Sequence, residues 1–204
     1  MTGSGVVCAP ATAERWDDLE AVMDGCSYAR KCWCAYWYLP NAGYKAGWGA
    51  ANAATLRRRV AGGEEPGVIA WLDGVPAGWC AVAPREKHDR LVRSKPFAPL
   101  DDTPVWSVTC FVVRKGYRKR GLMRALLQGA IDHARARGAT MLEAYPMDPG
   151  EKTGAAELFV GTAAAFRDAG FEEVARPLPR RPVMRLRLAP QADSSGAAGT
   201  AAPG

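Results

Sequence analysis

Residues 105–138, VWSVTCFVVRKGYRKRGLMRALLQGAIDHARARG, decide how the rest of the chain is organised. Residues 105–113 are rich in β-branched and aromatic side chains and contain neither Pro nor Gly, which predicts a strand buried on both faces. A short basic turn with Gly116 follows over residues 114–120. From Leu122 onward apolar residues recur at helical spacing (Leu122, Leu126, Ala130, Ala134), so a helix begins near Gly121. The first amides of a helix have no intrahelical partner and sit at the positive end of its dipole, an arrangement that binds phosphate. Gly121 lets an anion approach the backbone without meeting a Cβ, and Arg114, Lys115, Arg118, Lys119, Arg120 and Arg124 surround the turn with no acidic residue among them. The expected ligand is polyanionic; the competing reading is an ordinary strand-to-helix turn with solvated cations.

The run Arg118-Lys119-Arg120-Gly121-Leu122-Met123, preceded by a strand ending Phe111-Val112-Val113 and by Tyr117, resembles the acetyl-CoA signature of the GNAT superfamily of N-acyltransferases, R/Q-x-x-G-x-G/A. It departs from the pattern at Met123, which stands at the last Gly/Ala position, so that side chain must point away from the loop. Farther on, Ala163-Ala164-Ala165-Phe166-Arg167-Asp168-Ala169-Gly170-Phe171 is similar to the family's last helix and closing G-F. In element order the resemblance runs over residues 6–188, while only residues 105–171 carry motifs.

The resemblance implies an α/β fold: a mixed, mostly antiparallel central sheet flanked by helices, with one parallel strand pair that splays apart. It implies acetyl-CoA as co-substrate, with the pantetheine arm in the gap against the backbone of Phe111, Val112 and Val113, and the pyrophosphate at Arg118, Lys119, Arg120, Gly121, Leu122, Met123 and Arg124. The implied reaction is direct attack of an amine on the thioester, with a base taking the amine's proton and an acid or water protonating the thiolate. Two positions at which the family often keeps acid–base groups hold Phe166 and Ser107 instead. The remaining ionisable side chains on the neighbouring strand are Glu143 and Tyr145, which share a face and are the candidate catalytic residues; the alternative is that both pack or hydrogen-bond there.

Composition fits one sizeable domain over residues 1–188: 204 residues, 48% hydrophobic, with seven Trp. Residues 189–204, APQADSSGAAGTAAPG, offer nothing to bury and are expected to be a disordered tail. The net charge of +6 favours anionic partners, but the excess is concentrated in the central turn and in residues 176–187. The first residues, MTGSGVVCAP, lack the pattern of a signal peptide, and no run is long enough to span a bilayer, so a cytoplasmic protein with no membrane partner is expected. Six cysteines in such a chain argue for free thiols, and their spacing shows no paired C-x-x-C, so no metal is expected.

In chain order, a first strand at residues 6–8 precedes a helix capped by Thr12 and running to Met23, with Trp16, Leu19, Val22 and Met23 as its apolar face. Residues 26–40, CSYARKCWCAYWYLP, are dense in aromatics; the resemblance makes this the acceptor wall, the other reading being a hydrophobic corner over the sheet. A Gly-broken stretch over 41–49 precedes a helix over 50–60. Strands at 68–72 and 75–82 join at Asp73-Gly74, a strong hairpin signal. Residues 84–104 form a Pro-broken loop in which His88, Asp89, Asp101 and Asp102 read first as solvated residues. A strand over 141–145, a helix over 154–169, a strand over 171–175 and a half-buried final strand with Met184, Leu186 and Leu188 complete the pattern.

Three functions fit this chain. One is an acetyl-CoA-dependent N-acetyltransferase acting on an amine, a small molecule before a protein. Another is an acyl-CoA sensor on the same fold. The third, a nucleic-acid binder, is disfavoured because its basic residues would be spread along a face with interleaved aromatics, whereas here they are compressed into one turn.

Overall fold

A computed structural model describes residues 5–150 and 155–189. All but Ala189 of the tail expected over 189–204 lies outside the described residues, as does Gly154 of the expected helix over 154–169. One seven-stranded sheet runs through the molecule in the order β1-β2-β3-β4-β5-β7-β6. Its strands are β1 (Val6–Pro10), β2 (Gly67–Leu72), β3 (Val75–Pro84), β4 (Trp106–Val113), β5 (Met141–Ala144), β6 (Glu172–Leu178) and β7 (Arg181–Arg187). Every neighbouring pair is antiparallel except β4 and β5. The β2–β3 turn places Asp73 and Gly74 both at positive φ, 53° and 79°, the combination that matches the twist of a hairpin.

The helices cover both faces. One face carries α6 (Leu122–Ala136), whose Leu122, Leu126, Leu127, Ala130 and Ile131 join Val68, Val82, Val108 and Leu142 in one core. Beside it lies α7 (Ala163–Asp168), which contributes Phe166. The other face carries α1 (Trp16–Asp24), α2 (Ala29–Cys32), α3 (Asn41–Ala46) and α4 (Ala50–Ala61), packed through Leu19, Met23, Trp37 and Leu56 against Ile69, Trp79 and Cys110. Trp16, Leu19, Val22 and Met23 form the buried face expected of α1, although Thr12 makes no side-chain cap and a single 3-10 turn over Ala13–Arg15 leads into the helix.

Three expectations need correction. The stretch 41–49 contains α3, made possible because its glycines fall inside and just after one short helix that buries only Tyr44. The helix expected over 154–169 is two pieces, a 3-10 segment over Ala155–Val160 and then α7, broken at Gly161. Gly161 has φ +80°, and a Cβ there would lie 2.8 Å from the Phe166 ring and 2.9 Å from Met123 Cε, so neither the backbone conformation nor the space admits a side chain. Third, His88 is wholly buried rather than solvated. It lies just ahead of α5 (Asp89–Val92), stacks on Tyr38 at 5.6 Å, and has Nε2 at 3.4 Å from Thr109 Oγ1.

Two outcomes follow from these packing constraints. Gly161→Ala should cost at least about 1 kcal/mol, seen as a lower urea midpoint at unchanged m-value. Burial pushes the His88 imidazole down to about 3, whereas in the unfolded chain it titrates near about 6.5. The unfolded state therefore binds the extra proton first as pH falls, and stability is complete above about pH 6.5 and declines toward pH 3 by up to about 1.4 kcal/mol per pH unit. Urea unfolding at about pH 7 and about pH 5 should show this loss, smaller in His88→Gln; part of the slope persists through His133, which burial also shifts down.

Candidate functional site

The parallel pair β4–β5 is registered only through Trp106–Leu142, Ser107–Glu143 and Val108–Ala144. β4 continues to Val113 on the arm of β3, while β5 ends and its chain turns away. The far side of the resulting gap is Met147, bridged to Thr162, and the 3-10 segment carrying Leu158 and Phe159. Thr109 is an extra residue in β4: Val108 faces Val82 and Cys110 faces Ala81, so a bulge absorbs one residue at the mouth of the gap. The bulge changes side-chain parity, so that Ser107, Cys110 and Val112 share the α1–α4 face while Val108 and Phe111 face α6.

At the end of β4 the chain makes the basic turn. Arg118 Nε donates to the Val113 carbonyl at 3.3 Å, and Arg114 is tied to the Pro76 carbonyl at 2.6 Å with its side chain against Gly25. Gly121 caps α6 in the left-handed region at φ 76°, and no atom lies within 4 Å of where its Cβ would be. The first intrahelical bond runs from Ala125 N to Gly121 O, which leaves the amides of Leu122, Met123 and Arg124 free of helical partners. Among the described residues no carboxylate pairs with Arg118, Lys119, Arg120 or Arg124. Met123 lies toward Gly161 and the cleft, so the bulky residue at the motif's small position does not cover the Gly121 approach.

The gap opens into a cleft of 470 Å³. It is lined by Arg118, Met123 and the Phe111, Val112 and Val113 segment together with Tyr28, Tyr36, Trp37 and Phe159. Of residues 26–40, the stretch 26–29 and Cys32, Cys34, Tyr36 and Trp37 line the cleft, carried by α2 and a 3-10 turn over Ala35–Trp37, with Trp33 and Cys34 both at φ 50° between them. Cys26, Cys32, Cys34 and Cys110 also line it. Burial pushes the Cys32 thiol up to about 11, and a hydrogen bond with Cys34 together with burial pushes Cys110 well up, so these stay protonated and act as small apolar lining. Spacing could not have shown this grouping, because Cys110 reaches the other three only through the fold. Among the described residues no group of three or more His, Cys, Asp or Glu is placed to hold a metal ion, and no helix is long and apolar enough to cross a membrane.

Glu143 and Tyr145 are brought together, but behind the cleft rather than in its lining. Tyr145 donates to Glu143 Oε1 at 2.5 Å and accepts from Arg85 at 2.6 Å, with Ser107 Oγ at 3.2 Å. Arg185 Nε donates to the other carboxylate oxygen at 2.7 Å, and Arg85 lies 3.5 Å from the first. Burial and the Glu143 charge hold the Tyr145 hydroxyl well above the usual phenol range. Arg85 also donates to the Leu91 and Phe97 carbonyls, and Arg185 pairs with Asp101, which that contact holds down at about 2. The two arginines thereby tie residues 85–104 to the sheet, a role no local pattern announces.

Comparison with known proteins agrees with this geometry. A family model described as the acetyltransferase (GNAT) family matches residues 29–159. No curated protein matches the chain in sequence. Among solved structures, a GNAT-family acetyltransferase from Listeria monocytogenes superposes with a TM-score of 0.57 at 10% identity, covering 92% of this chain and 97% of its own. An agmatine N-acetyltransferase variant gives 0.55 at 12% identity, covering 90% and 99%. The PaiA N-acetyltransferase of Thermoplasma acidophilum, solved with coenzyme A, gives 0.52 at 10% identity, covering 90% and 99%. At these identities the likeness is one of fold. With the family model spanning most of the chain, the protein belongs to the GNAT family of acetyl-CoA-dependent acetyltransferases.

Proposed function

We propose that the protein transfers an acetyl group from acetyl-CoA directly to the amine of a small molecule. The observation that carries this reading is the single cleft that joins the phosphate-binding turn to an aromatic wall along the unpaired length of β4. Its 470 Å³ is the size of a small-molecule site. The residues fit the donor. The main chain at Phe111, Val112 and Val113 has no β5 neighbour and can take an extended amide-bearing arm as a sheet edge takes an added strand. The free amides of Leu122, Met123 and Arg124, with Arg118, Lys119, Arg120 and Arg124 around Gly121, suit the pyrophosphate. When bound, acetyl-CoA supplies an acetyl carbon activated as a thioester and a thiolate leaving group.

For Glu143 and Tyr145 we propose a positioning role. A base must have a lone pair to offer, and both Glu143 oxygens are already engaged by cations or by Tyr145. Removing either partner would leave a buried charge uncompensated. The unit instead fixes the point at which β4 and β5 part, and with it the width of the cleft.

Gly121→Glu, which sets a side chain and a negative charge against the pyrophosphate site, should abolish acetyl-CoA binding by calorimetry with the circular dichroism spectrum intact; unchanged affinity would take the donor away from this turn. For the vertex, Tyr145→Phe should lower kcat about 10-fold while the KM for acetyl-CoA stays within about 3-fold and the pH profile keeps its shape. If Glu143→Gln instead abolishes an acidic limb of the profile with a loss of about 100-fold or more, Glu143 is the base itself.

A further inference from the structure

We propose that the cleft selects a primary amine carrying an aromatic or similarly apolar group and no second cation, and that it binds this amine uncharged, its surroundings rather than a dedicated base removing the ammonium proton. The inference rests on the acetyltransferase reading above and names the acceptor class for that site.

Its basis is the wall. Tyr28, Tyr36, Trp37 and Phe159 line the cleft, and Trp48 and Tyr44, outside the lining, join them edge to edge: Tyr28 meets Trp48 at 5.3 Å, Trp48 meets Tyr44 at 5.4 Å, Tyr44 meets Tyr36 at 5.6 Å, and Tyr36 meets Trp37 at 5.0 Å and Phe159 at 6.3 Å. Of the lining rings, Tyr28 is 54% exposed and Trp37 5%, so the wall runs from the surface into the interior. The indole N–H of Trp37 is buried without a hydrogen-bond partner among the described residues, so the wall still holds an unused donor. Such a surface fits a flat apolar group.

An aromatic wall can also receive cations, and the charges decide between the two. The Arg90 guanidinium already sits 3.8 Å over the Tyr36 ring, anchored to the Tyr36 and Leu39 carbonyls. Arg118 is the one Lys or Arg among the described lining residues, and the donor's pyrophosphate engages it on the reading above. The other titratable lining groups are Tyr28, Tyr36 and the four thiols, and no carboxylate lines the cleft among the residues whose side chains are described, which leaves out Glu157. Glu143, the buried carboxylate of β5, is closed off by Arg85 and Arg185. A second cation on the acceptor would be desolvated against this lining without a counter-charge, whereas a neutral ring meets apolar surface.

The same field acts on the reacting nitrogen. Desolvation against this lining disfavours an ammonium, so entry moves its proton to solvent. The neutral nitrogen then forms the C–N bond as the thioester C–S bond breaks; nitrogen gives up one further proton, and the departing sulfur takes one up. Net, the ammonium and the thioester become the amide, the thiol and one released proton. This accounts for a working cleft in which Phe166 and Ser107 stand where relatives of the same motif often keep acid–base groups.

Two measurements test it. Thiol release from saturating acetyl-CoA should favour phenethylamine over putrescine by about 100-fold or more in kcat/KM. Calorimetric titration of phenethylamine into the CoA-saturated protein at about pH 8, in two buffers of different ionisation heat, should show close to one proton released per amine, since the free amine is protonated there. The exposed Tyr28 offers a variant that keeps the fold: Tyr28→Ala should raise the phenethylamine KM about 10-fold without changing acetyl-CoA affinity, and an unchanged KM would remove the wall from the acceptor site. Turnover of putrescine in preference overturns the inference and leaves the acetyltransferase standing, as does phenethylamine binding without proton release. Release of thiol with neither amine also overturns it, and the acetyl-CoA binding measurement then shows whether the donor site falls with it.

Discussion

The arrangement depends on a hydrogen-bond ladder that stops. β4 and β5 pair over three residues and part after Val108, which leaves buried main-chain groups on β4 without the neighbour that a continuous sheet would give them. Unpaired backbone in a protein interior is costly, and a site that binds an extended amide-bearing molecule is one of the few arrangements in which it is also useful. Around this gap the remaining structure falls into place. The bulge at Thr109 turns Cys110 and Val112 toward one face, Gly161 lets the 3-10 segment and α7 close the far side, and the turn from Arg114 to Gly121 delivers a helix N-terminus to the open end.

Charge is distributed with the same economy. Among the described residues the cations of the basic turn have no carboxylate partners, whereas those beneath the parting strands are fully engaged. Arg85 and Arg185 grip Glu143 from both sides and extend to Phe97 and Asp101, so the loop over 85–104 is held by the same contacts that hold the vertex. Such an arrangement contributes little net stability compared with a well-packed apolar one, since desolvation offsets most of the attraction. What it provides is a fixed geometry at the point where the strands diverge.

Much of this was legible in residue order. The β4–turn–α6 unit showed itself through a change from an unbroken apolar run to helical periodicity, and Asp73-Gly74 marked its hairpin, because both signals are local. The bulge at Thr109 was not legible, since a bulge is defined by the partner strand and Thr is unexceptional in a strand. His88 gave no sign of burial: it sits in a polar, Pro-broken stretch, and only Tyr38 and Thr109, far away in sequence, enclose it. The grouping of Cys110 with Cys26, Cys32 and Cys34, and the hold of Arg85 and Arg185 on Glu143, likewise arise from tertiary packing between distant segments. Gly161 could have been read as a helix breaker; flanking residues of good helical character concealed it.

Arg118, Met123 and the Phe111–Val113 segment line the same cleft as the aromatic side chains, so on the function proposed above they would serve donor and acceptor together. Two molecules that share a wall do not enter independently. An acceptor seated first would occupy the corridor through which the donor's arm must thread, whereas a donor seated first completes the floor on which the acceptor rests. On that proposal the order would be compulsory, donor before acceptor and amide product before free thiol, with traffic through one corridor rather than two separate affinities setting the sequence of the cycle.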